Sequence, residues 1–150
     1  MVGRMNDIMI QSAISNPEWA ARMLVEQFSK IPASAGVPPA SLFLNDTYAL
    51  GHAYGFSEQA ARHVSGERED DYGPAYVEAV FTSLLKDQAK AKSLLRLVSL
   101  QSDDLRFQKG YDLGVVDLND WVLSRGQNLP SGLLHLYGSE AGGGRIATYF

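Results

Sequence analysis

The chain has 150 residues, 45% hydrophobic and 20% charged, which is enough for one domain with a sizeable core. It contains no cysteine, so disulfides, thiol catalysis, iron–sulfur clusters and every cysteine-based zinc site are excluded. Thirteen Lys and Arg against 17 Asp and Glu leave a net charge of -4, which supplies no general attraction for nucleic acid or an anionic membrane.

Apolar runs last only a few residues, and the start MVGRMNDIMIQSA carries no long apolar block. The expectation is a soluble, cytoplasmic protein without a membrane partner. Apolar residues recur at helical spacing nearly throughout, while sustained strand-type alternation is missing, so the predicted fold is all-α. The expected architecture is a single-domain bundle of about five to seven helices over residues 1–137, with a glycine-rich tail at 138–150.

In chain order, a short helix is expected over residues 4–14. Asn16 then reads as an N-cap and Pro17 as the first helical residue of a helix reaching Ile31. Its stripe of Ala20, Met23, Leu24, Gln27, Phe28 and Ile31 marks a buried face, flanked by Trp19 and Val25. The stretch PASAGVPP, residues 32–39, is a connector. A helix over 39–54 should weaken or end at Gly55, and a separate short helix over 57–64, capped by Ser57, should stop near Gly66. The segment GEREDDYG, residues 66–73, reads as an exposed acidic loop.

The segment from Pro74 to about Leu100 carries one apolar face from Val77 to Val98 and predicts a single helix of about 25 residues, roughly 38 Å long. Ser102, with Asp103 and Asp104 in the first turn, begins a helix to Ser124, with Arg125 and Gly126 as stop signals. A last short helix is expected over 131–137. Leu84, Leu95 and Trp121 should be core residues.

Two segments share a pattern of aromatic, glycine, ring and glycine: Tyr48, Gly51, His52, Gly55 and Phe107, Gly110, Tyr111, Gly114. Glycines four apart share one helix face and permit another backbone to come close, so close helix crossings are the first expectation. A duplicated helical pair is the sharper alternative.

The histidines His52, His63 and His135 match no metal-ligand template, although His52 and His63 with Asp46 or Glu58 make a conceivable metal set. No metal or cofactor is expected. Asp103, Asp104, Asp112, Asp117 and Asp120 lack the glycine and alternation of an EF-hand and read as a solvated helix face. Asp117 and Asp120 are spaced to form a carboxylate pair on which nothing else in the sequence converges. Residues 138–145, GSEAGGGR, lack the Lys-Ser/Thr ending of a phosphate loop. Lys86, Lys90, Lys92 and Arg96 read as a solvated face.

The functional expectation is therefore a non-enzymatic α-helical protein-binding module of adaptor, inhibitor or immunity type. Its partner would be another protein with a basic surface, docking on Glu67, Glu69, Asp70 and Asp71 with Tyr72 as aromatic anchor. A homo-oligomer stays open, and nucleic acid is disfavoured. The competing expectation is a small helical enzyme or small-molecule binder with a site between helices, built from His52 with Asp46, Tyr48, Tyr54 and Glu58.

Overall fold

Asn6 starts the first helix, its side chain accepting from the Met9 amide at 2.9 Å, and α1 runs Asp7–Ile14. The computed structural model describes residues 5–30, 46–65 and 72–132. Asn16 caps α2 (Pro17–Ser29) through the Glu18 amide at 3.0 Å, with Pro17 at the first turn where its missing N–H has no cost. Asp46 accepts from the Tyr48 amide at 3.0 Å at the head of α3 (Thr47–Ser65). Then come α4 (Tyr72–Leu85), α5 (Gln88–Gln101) and α6 (Leu105–Leu123). The described residues form an all-α bundle of these six helices, and no strand occurs among them.

Several boundaries differ from expectation: α3 starts at Thr47 and not at residue 39, and α4 starts at Tyr72, so Tyr72 and Gly73 are helical and not part of the expected loop 66–73. Gly55 does not break α3, and Ser57 is not a cap: α3 runs straight through both. The Ser57 hydroxyl donates to the Ala53 carbonyl at 2.7 Å, so it is satisfied inside the helix. The segment 74–100 is two helices instead of one. Lys86 adopts φ 56°, in the left-handed region that stops a helix, and Asp87 caps the next through the Lys90 amide at 3.0 Å. The apolar face continues across the break, which is why periodicity alone ran through it. Likewise Ser102 ends α5, and Asp104 caps α6 through the Phe107 amide at 2.9 Å.

The expected stop of α6 is present as a Schellman motif. Arg125 sits at φ 58° and donates to the Val122 carbonyl at 3.1 Å, while Gly126 donates to the Trp121 carbonyl at 2.8 Å.

α3 and α6 lie side by side at the centre. α4 packs on α3 and α2, α5 covers α4 and touches α3, and α1 crosses α3 and α2. One core threads all six helices. Trp19, expected at the flank of the α2 stripe, lies inside it, stacked on Phe56 with centroids 5.9 Å apart and 4.6 Å from Trp121. Leu84 and Trp121 are buried as expected, whereas Leu95 is half-buried. Lys86, Lys90, Lys92 and Arg96 are exposed. No helix of the described residues is long and apolar enough to cross a membrane.

Candidate functional site

The glycine pattern positions everything else. A Cβ built on Gly51 would collide with the Phe107 carbonyl oxygen, and one on Gly110 with that of Tyr48. One on Gly55 would meet the Tyr111 carbonyl, and one on Gly114 that of His52. Glycine leaves only a hydrogen facing each oxygen, which allows the two backbones to touch. The contacts ascend together along both helices, so α3 and α6 are parallel. They also exchange under a shift of 59 positions (Gly51 to Gly110, Tyr48 to Phe107, Gly55 to Gly114, His52 to Tyr111), so the seam has local two-fold symmetry. The duplicated-pair alternative thus has a geometric basis along this seam.

Side chains leave the seam in two directions. On the buried side, His52 Nε2 meets Asp117 Oδ2 at 2.6 Å, and the Gly132 amide donates to the same oxygen at 2.8 Å. The Tyr48 hydroxyl donates to the Gly132 carbonyl at 2.8 Å, so the backbone N–H and C=O of Gly132 are both held. His52 has no exposed surface and stacks on Phe56 at 14°, and its Nδ1 finds no partner among the described residues. The expectation that nothing converges on Asp117 is overturned, and so is its assignment to a solvated face. Asp120, three residues on, is exposed, so no carboxylate pair forms. At the head of the seam, buried Asp46 takes a two-point ion pair from Arg106, at 2.9 and 3.0 Å.

On the other side, α3, α5 and α6 border a groove of about 660 Å³. Tyr54, Phe107 and Tyr111 give it three aromatic rings, with Tyr54 6.3 Å from Phe107 and 6.0 Å from Tyr111 between centroids. Leu95 and Val98 supply the aliphatic wall, and Ser99, Ser102 and Gln108 a polar edge. Glu58 and exposed Asp112 bring carboxylates. Glu58 accepts from the Tyr111 hydroxyl and pairs with Arg62 at 3.0 Å. Burial first, then the hydrogen bond to Glu58 and its charge, push the Tyr111 phenol up to about 12. Tyr54 is raised by burial and then by the charge of Glu58.

The five residues grouped around His52 thus divide. Asp46, Tyr48 and His52 face the interior, and Tyr54 and Glu58 line the groove. Positions 48 and 52 share one helix face and positions 54 and 58 another, a separation the expected break at Gly55 concealed. The histidine metal set also separates, because His63 bonds Asn119 at 2.9 Å while His52 holds Asp117. Among the described residues no three His, Asp or Glu side chains are grouped to hold a metal ion. The acidic positions Glu67, Glu69, Asp70 and Asp71 lie outside the described residues, as do His135 and the tail. Tyr72 opens α4 half-buried, its ring 6.1 Å from that of Tyr76. Phe107, Tyr111 and Asp112 were missed as site residues. The matching aromatic pattern in the two segments was the signal for the first two.

Comparison with protein-family models, curated proteins and solved structures finds no match, so the reading of this site rests on the residues of this chain.

Proposed function

We propose that the protein is a non-enzymatic α-helical module that binds another protein, with the groove between α3, α5 and α6 as its recognition surface. The observation that supports this reading is the pairing of three aromatic rings with a carboxylate already tethered by its neighbours. Its volume of about 660 Å³ falls within the roughly 300–1,000 Å³ of ligand sites. Aromatic walls with a polar edge suit a hot-spot pocket, where a few anchors carry most of the binding free energy.

Proton transfer is a weaker reading of the same groups. A general base works best with a pKa near the operating pH, and both groove phenols are moved away from neutrality. His52 and Asp117 are paired beneath the surface, out of reach of a substrate.

The test plugs the groove. Ser99 is exposed on its rim, so Ser99→Trp fills it from outside, while Ala79→Trp fills the separate depression beside Asn16 and Gln88 as a control. Each variant with wild-type melting behaviour serves as bait in quantitative affinity purification from the native host. A protein retained by wild type and Ala79→Trp but lost with Ser99→Trp is expected. Retention by all three baits, or by none, removes the groove as the recognition surface.

A further inference from the structure

We infer that the groove takes a basic side chain, an arginine of the partner with apolar neighbours, an inference that rests on the groove being the recognition surface. Among the described residues the lining includes Glu58 and Asp112 and no lysine or arginine, so the charged groups described there are all acidic. Arg62 pairs with Glu58 from outside this lining and is itself largely exposed, so its guanidinium is free to turn into solvent when another cation arrives. Meanwhile the phenols of Tyr54 and Tyr111 stay neutral far above physiological pH, and neutral rings present the negative faces that attract cations.

The shape of the lining fits the same occupant. A guanidinium is planar, stacks on aromatic rings and donates in a fixed fork to a carboxylate, which matches rings placed next to Glu58. Leu95 and Val98 offer an aliphatic surface for the arginine stem or a flanking leucine. The groove is large for one side chain, and a short segment with an arginine between apolar residues uses its carboxylates, rings and aliphatic wall together. A neutral apolar segment would leave Asp112 without a counter-charge and Glu58 with exposed Arg62 alone, and an acidic one would meet repulsion.

The experiment titrates full-length protein with acetyl-Leu-Arg-Leu-amide and with its citrulline counterpart, which keeps the shape and removes the charge, following backbone amide shifts by NMR. The arginine peptide should move the amides of Tyr54, Glu58, Phe107, Tyr111 and Asp112, with the citrulline peptide at least about fivefold weaker. Glu58→Gln retains an acceptor for the Tyr111 hydroxyl, and Asp112→Asn changes an exposed position, so both variants should fold. Together they should weaken the arginine peptide severalfold more than the citrulline peptide, which loses hydrogen-bond strength but no charge pairing. Equal binding of the two peptides to wild type overturns the cation inference and leaves the groove as the recognition surface. Millimolar peptide that moves no groove amide overturns both.

Discussion

His52 and Asp117, 65 residues apart in the chain, meet at 2.6 Å inside the bundle and tie α3 to α6 directly beside the glycine seam. The same Asp117 oxygen accepts the Gly132 amide, so one carboxylate holds two helices and the segment that follows them. Asp117→Ala would orphan the imidazole and the Gly132 amide together. A loss of about 3 kcal/mol is expected in chemical denaturation. A loss below 1 kcal/mol on the same measurement would mean that the buried pair contributes little.

A Cβ on Gly132 would lie 2.8 Å from both Asp117 Oδ2 and His52 Nε2. Gly132→Ala should therefore dislodge this segment and leave the helices intact. Hydrogen exchange should show the Gly132 amide losing protection while the amides of α3 and α6 keep theirs; unchanged protection at Gly132 counts against the contact.

The glycines of the seam and the glycine of α4 form a matched comparison. Gly110→Ala drives a methyl into the Tyr48 carbonyl, with backbone on both sides, and should destabilise by about 1–3 kcal/mol. Among the described residues Gly73 has no heavy atom within 4 Å of the same position, so Gly73→Ala should raise stability, by less than the full helix-propensity gain of about 1 kcal/mol because Pro74 follows it. Thermal melts of the two variants should move in opposite directions.

Lys86 holds the break between α4 and α5 at φ 56°, a conformation that costs an L-residue roughly 1–2 kcal/mol. Its side chain is exposed. Lys86→Gly should stabilise by about 0.5 kcal/mol once glycine's greater freedom in the unfolded chain is set against the relieved strain. A drop in denaturation midpoint would show that the lysine stem contributes packing.

The raised tyrosines set a high-pH limit. In the unfolded chain they release protons near 10, whereas folded Tyr111 holds its proton to about 12, and Tyr54 and Tyr76 are also raised, each mainly by burial. The stability linked to these phenols is complete below pH 10 and is lost as pH rises from 10 through 12. Denaturant midpoints measured across that range should fall, and Tyr111→Phe should fall less steeply. Ultraviolet titration of native protein should show a group of late-ionising phenols.

Helix content, the caps Asn16 and Pro17, the Arg125–Gly126 stop and the glycine spacing were all legible in the chain, because each is a local rule linking residues within a turn or two. The continuity of α3 was not. Gly55 weakens an isolated helix, and only the backbone of α6 lying against it offsets that loss. In the opposite sense, the break at Lys86 and Asp87 was hidden because packing preserved one apolar face across it. The glycine pattern predicted a close approach but left its direction and partner open, since spacing along one helix carries no information about which helix answers it. Tertiary structure decided that the two patterns meet each other in parallel. From that single pairing follow the burial of His52 against Asp117 and the placing of Tyr54 and Glu58 beside Tyr111, contacts between positions more than 50 residues apart that no local spacing encodes.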